Sequence, residues 1–195
     1  MSAVLERWLE EVRTTPGLTS LKDPAAARRV LLDDALRAVP AVSANPGPIV
    51  DVGSGGGTPG IPLAVALPQR RVTLLEAERR KCDFLRRFAV ELPNVEVEWA
   101  RAEEAPVESF GVALAKALAK PPVATELCLP LVRTGGVAVL WVGATADVRA
   151  VARVAERLAS RVEECSDGLL VLRKTGPTPS GFPRRPGIPK RRPLA

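Results

Sequence analysis

The 195-residue sequence contains no histidine. Ser-His-Asp and Cys-His nucleophile schemes and most zinc enzymes depend on imidazole as base or ligand, so all of these are excluded. Cysteine is scarce: Cys82, Cys128 and Cys165 are odd in number and widely scattered. They match neither a disulfide framework nor a zinc-ligand spacing, so buried apolar thiols and no metal site are expected. No apolar run reaches the roughly 18 residues needed to cross a bilayer. The opening MSAVLERWLEEVR reads as an amphipathic helix rather than a signal peptide. A cytoplasmic monomer without membrane attachment is expected. Acidic residues are missing from the last twenty positions, which instead hold Arg184, Arg185, Lys190, Arg191 and Arg192.

What is present is a composition 46% hydrophobic and 26% charged, which suits one soluble domain with a full core. The formal charge of +6 favours a polyanionic partner, RNA or DNA before others.

The most informative stretch runs from Ile49 to Pro62, IVDVGSGGGTPGIP. A short apolar strand ends near an aspartate, a glycine run follows, and a helix opens with two prolines. Proline loses nothing in a first helical turn, where N–H groups have no intrahelical acceptor. Glycines admit positive φ and close approach of a ligand. Two parses are available. Gly55, Gly57 and Gly60 satisfy the dinucleotide fingerprint G-x-G-x-x-G, which would make the protein an NAD(P)-dependent oxidoreductase. Asp51, Gly53, Gly55 and Gly57 instead resemble motif I of class I methyltransferases that use S-adenosylmethionine, with the acid near the methionine amino group. A carboxylate in that place repels a pyrophosphate, which favours the methyl donor.

Along the chain, residues 3–13 show helical spacing through Val4, Leu5, Trp8, Leu9 and Val12. Asp23-Pro24 reads as an N-cap and N1 pair opening a helix that runs to about Val39, and the cluster Pro40–Pro48 ends it. Strands and helices then alternate. Strands are expected at Ile49–Val52, Arg71–Leu75, Asn94–Ala100, Val112–Ala115 and Val137–Val142, with helices near 59–67, 78–92, 122–132 and 145–159. Thr134-Gly135-Gly136 reads as a turn. Arg161–Cys165 and Leu169–Arg173 form a hairpin around Asp167-Gly168. The fold class is a Rossmann-like α/β domain, mostly parallel, with a C-terminal antiparallel hairpin and N-terminal helices in front. Its divisions are an N-terminal helical cap (1–40), a donor-binding core (41–175) and a basic Pro/Gly-rich tail (176–195) expected to lack regular structure. Glu76, at a strand end about twenty residues past the glycines, is placed for ribose hydroxyls. Lys116 stands at the carboxyl end of another strand, where α/β sites form.

The sequence resembles ribosomal RNA small subunit methyltransferase G, also called glucose-inhibited division protein B. The resemblance rests on LTSLKDP (18–24), DVGSGGGTPGIP (51–62), TLLE (73–76), Phe84-Leu85, RAEE (101–104) and FPRRPGIP (182–189). It implies methylation of guanine N7 in the 530 loop of bacterial 16S ribosomal RNA, on naked RNA, the subunit or an assembly intermediate. S-adenosylmethionine would be the donor and S-adenosylhomocysteine the product. Family donor-binding positions fall on Gly53, Thr58, Ala102, Glu103 and Lys116. Arg28, Arg29 and the five tail cations would position RNA. Asp33 or Asp34, if the second helix lines the pocket, would ease positive charge on the base, and Lys116, the third candidate catalytic residue, would hold phosphate or a polar edge near the donor. The chain departs from the family at Val30 (usually histidine), Asp34 (serine), Lys116 (arginine) and Val142 (lysine). The changes at Val30, Lys116 and Val142 also suggest a non-catalytic RNA-binding or assembly protein that kept the fold.

Overall fold

In the computed structural model, which describes residues 2–195, one seven-stranded sheet organises the chain. The strands are β1 (Ile49–Val52), β2 (Val72–Glu76), β3 (Val95–Trp99), β4 (Phe110–Ala115), β5 (Val132–Trp141), β6 (Ser160–Ser166) and β7 (Leu169–Lys174). Their order is β3-β2-β1-β4-β5-β7-β6. The first five run parallel, whereas β7 is antiparallel to both β5 and β6. β1, β2 and β4 are buried along their whole length, as apolar strands covered on both faces must be. The order reverses between β1 and β4, and such a switch point opens a crevice beyond the carboxyl ends of the strands.

Alternate strand residues feed two cores. Ile49, Val72, Leu74 and Val112 meet Trp8, Leu32, Ile61, Leu85 and Phe88 on one face. These come from α1 (Ala3–Thr14), the helical segment from α2 (Pro24–Ala27) to α4 (Val39–Ser43), α5 (Gly60–Ala66) and α6 (Arg79–Ala89). Val50, Val52, Ala113 and Leu140 meet Val123, Leu127, Val151 and Leu158 on the other face. Here α7 (Pro121–Cys128) and α8 (Val148–Arg157) pack.

Four expectations are corrected. The second helix is not continuous. After α2 it widens into a π turn (Arg28–Asp33), resumes as α3 (Asp34–Leu36), and Pro40 sits in the first turn of α4 rather than ending the segment. Thr134-Gly135-Gly136 is no turn. β5 runs through it, and the register with β4 shifts between Phe110 and Val112. Gly135 supplies φ +85°, and a Cβ on Gly136 would lie 2.5 Å from the Gly111 carbonyl, so a bulge here requires glycine. Cys165 is exposed, unlike Cys82 and Cys128. The tail is ordered and carries a short helix, α9 (Ile188–Arg191), with Pro189 buried.

Candidate functional site

The turn after β1 is held by its own backbone. Gly53 and Ser54 N–H groups donate to the Leu75 carbonyl at 2.8 and 3.1 Å, and the Gly57 N–H donates to the Ser54 carbonyl at 2.7 Å. Gly53, Gly55 and Gly57 all have positive φ. Gly53, Gly55 and Gly56 border a cavity with their backbone, but the space beside each glycine differs. A Cβ on Gly55 would find nothing nearer than 3.8 Å, whereas one on Gly56 would strike Val12 at 2.5 Å. A Cβ on Gly57 would meet Ile61 at 2.5 Å and the Trp8 indole nitrogen at 3.0 Å. Trp8 Nε1 also donates to the Gly56 carbonyl at 2.7 Å. Helix α1 is therefore the support under the turn, with Trp8 fully buried.

Glu76 ties the turn to the end of β2. Its two carboxylate oxygens accept separately from the Gly55 N–H and the Glu78 N–H, each at 2.8 Å. Thr58 Oγ1 donates to the Leu31 carbonyl at 2.7 Å, joining the turn to the π segment. Such wide turns recur at functional sites.

These groups border a cavity of about 760 Å³, inside the usual range for small-molecule sites. Gly53, Gly55, Thr58, Glu76, Ala102, Glu103 and Lys116 all line it, as do Val30 and the tail residue Lys190. The segment Leu18–Leu21, Ala77, Glu78, Lys81 and Arg101 also contribute. Sequence reasoning did not name these as site residues, although LTSL and RAEE, which contains Arg101, were among the motifs it noticed.

Several other predicted residues lie elsewhere. Asp51 is 1% exposed and does not line the cavity. Its Oδ2 accepts from the Gly60 N–H at 3.0 Å, so it braces the start of α5 from below. Burial pushes its carboxyl from 3.8 up to about 7, opposed by the Gly60 hydrogen bond and aided by the nearby Glu76 charge. A folded-state pKa above the unfolded one means the native state holds the extra proton. Stability should therefore fall as pH rises from about 4 to about 7, and Asp51→Asn should flatten that part of the profile in thermal melts. Gly57 packs on α1, as described. Neither Asp33 nor Asp34 lines the cavity. Asp33 is exposed, 3.7 Å from Arg28, whereas Asp34 pairs with Lys116 and, at 2.8 Å, with Arg37. The Lys116 ammonium also lies 5.7 Å from the centre of the Trp141 ring, whose Nε1 donates to the Asp34 carbonyl at 3.1 Å. Arg28 and Arg29 are exposed outside the cavity rim.

The tail closes one side. Arg184 grips Glu126 of α7 with two bonds of 2.5 and 2.6 Å, and that carboxylate is 3% exposed. Its guanidinium is thereby committed within the fold, apart from the other tail cations. The Gly187 N–H donates to Glu103 at 2.9 Å, bringing α9 to the cavity edge. Arg185, Arg191 and Arg192 are exposed beside it. Among the described residues there is no cluster of three metal-ligating side chains, and no helix is long and apolar enough to cross a membrane.

The sheet order, the reversed terminal hairpin and the cavity at the glycine turn define a Rossmann-like class I methyltransferase. A T. thermophilus 16S rRNA methyltransferase, solved in complex with AdoMet and guanosine, shares the fold. It aligns at a TM-score of 0.59 and 18% identity, covering 85% of this chain and 42% of that one. The family model GidB, rRNA small subunit methyltransferase G, matches residues 4–166. Ribosomal RNA small subunit methyltransferase G of a Synechococcus sp. is 36% identical over 92% of this chain and 79% of that relative. The Chloroflexus aggregans protein of the same name is 35% identical over 98% and 90%. The chain belongs to the rRNA small subunit methyltransferase G family.

Proposed function

We propose that this protein transfers the methyl group of S-adenosylmethionine to guanine N7 in the 530 loop of bacterial 16S ribosomal RNA. The observation that carries the reading is the Glu76 fork, which fixes Gly55 at the floor of a cavity large enough for a nucleoside donor. The residues fit that ligand. Glu76 is only 7% exposed, and its oxygens keep lone pairs for ribose hydroxyls. Ala77, Ala100 and Ala102 make a narrow apolar wall for a purine, and Gly53 and Gly55 admit close approach.

The donor supplies an electrophilic methyl carbon on a sulfonium. Guanine N7 carries a free lone pair in neutral guanine, so no proton has to be removed before it attacks. The N7–carbon bond forms as the carbon–sulfur bond breaks, the sulfur leaves as a neutral thioether, and the positive charge passes to the base. Alignment is the protein's main task. The absence of histidine is no obstacle to such a step.

Lys116 presents N–H donors at the cavity edge, and Asp34 and Trp141 hold its ammonium in place. Lys116→Gln should lower kcat/KM for RNA by about 10–100-fold, the loss of one charge-assisted hydrogen bond. Methyl incorporation into a 16S rRNA fragment reads this, and an unchanged rate removes Lys116 from substrate positioning.

Mapping N7-methylguanine in ribosomal RNA with and without the gene tests the function itself. Loss of the modification at one position in the 530 loop is expected. Full modification without the gene contradicts the reading, and methyl transfer to subunits but not to naked RNA would identify the physiological substrate.

A further inference from the structure

The exposed cations of α1 and α6 differ from those of α8. On the face covered by α1 and α6 they are largely neutralised within the fold. Arg7 pairs with Glu91, Arg87 with Glu11, Arg86 with Asp83 and Lys81 with Glu78, while Arg80 donates to the Pro16 carbonyl. On the opposite face, α8 carries Arg149, Arg153 and Arg157, all exposed and none in an ion pair among the described residues. Four-residue spacing sets them on one stripe, about 6 Å apart along the helix axis. Like charges at that spacing repel, and each pair costs an isolated helix a few tenths of a kcal/mol. No acid relieves them, and the acid on the helix, Glu156, makes no salt bridge with them.

The stripe is not isolated in space. Helix α7, mostly buried, packs against both α8 and α9, so the two basic elements share a neighbour. Lys190 of α9 lines the donor cavity, and Arg191 follows it, exposed. Unneutralised charge thus stands at the cavity, on α9, and on α8, the two helices that pack against α7.

We propose that Arg149, Arg153 and Arg157 form a second phosphate-contacting surface, which holds the RNA backbone flanking the methylated nucleotide while the tail cations hold it beside the cavity. The proposal rests on the reading of the substrate as ribosomal RNA. The spacing along α8 lets neighbouring arginines reach neighbouring phosphates of one strand. Sequence periodicity marks the opposite, apolar side of α8. Nothing local in the sequence distinguishes this stripe from an ordinary solvated face.

The test is salt dependence. The full chain and the variant Arg149→Gln/Arg153→Gln/Arg157→Gln are titrated with a transcript of the 530-loop region at several salt concentrations. Loss of three phosphate contacts should reduce the slope of log affinity against log salt by about 2. Calorimetric affinity for S-adenosylmethionine should stay unchanged, and the thermal midpoint should stay the same or rise as repulsion is relieved. The matched control Arg7→Gln/Arg86→Gln/Arg87→Gln removes equal charge from ion-paired positions and should leave the slope within about 0.5 of the parent. An unaltered slope in the α8 variant overturns the proposal, as does an equal fall in the control. If the parent protein itself neither binds nor methylates the transcript or the small subunit, the substrate reading has failed instead.

Discussion

Glu76→Ala should weaken S-adenosylmethionine binding by about 100-fold or more. The side chain satisfies two backbone N–H groups at once, those of Gly55 and Glu78, while keeping acceptor capacity toward the cavity. Each buried donor left unpaired costs about 1–3 kcal/mol, and roughly 1.4 kcal/mol corresponds to tenfold in affinity. With the fork gone, Gly55 loses the contact that fixes its left-handed conformation at the cavity floor. Glu76→Gln keeps one acceptor oxygen but aims an NH2 at the other N–H, so an intermediate loss of about tenfold is expected. Calorimetry reads both. An affinity within about threefold of the parent for Glu76→Ala would remove the fork from donor binding.

The largest effect on stability is expected at Trp8. Its indole is fully buried, and truncating such a side chain to alanine costs about 3–5 kcal/mol through the cavity left behind. The expected consequence goes further than stability, because Trp8 Nε1 holds the Gly56 carbonyl. Trp8→Phe keeps most of the packing and removes that bond. It should therefore lower donor affinity by several-fold with a smaller loss of stability. Leu85→Ala is the comparison, a buried α6 residue in the same core that does not line the cavity. It should destabilise by about 2–5 kcal/mol while leaving donor affinity near the parent value once the protein is folded. Equal effects of Trp8→Phe and Leu85→Ala on donor affinity would make Trp8 an ordinary core residue.

Local chemistry was the legible part of this sequence. Apolar strands bounded by turn residues, proline in a first helical turn and Asp-Gly between two strands each act within a few residues. The parallel core and terminal hairpin could therefore be read, as could the resemblance to the methyltransferase family. Glu76 was legible for a similar reason, since its distance from the glycines follows from the strand–helix–strand unit.

The less legible features depend on partners distant in the chain. Helical spacing identified Trp8 as a core residue, but nothing in that pattern reveals an acceptor 48 positions away. Asp51 looked like a donor contact because it ends a strand before glycines. In the fold its side chain points to the α5 side and meets the Gly60 N–H instead. Proline and glycine made the tail look irregular, yet the Arg184–Glu126 pair across 58 residues and Lys174, which donates to Leu158 and Thr178, draw it onto the domain. The bulge in β5 looked like a turn because a glycine pair with one positive φ serves either purpose.

The dinucleotide and methyl-donor parses of the glycine turn make opposite claims about one titration. Calorimetry of the purified chain with S-adenosylmethionine and, separately, with NAD tests the central claim most directly. Saturable one-site binding of S-adenosylmethionine and no measurable heat with NAD is the predicted result. Silence with the methyl donor, or tighter binding of NAD, would contradict it.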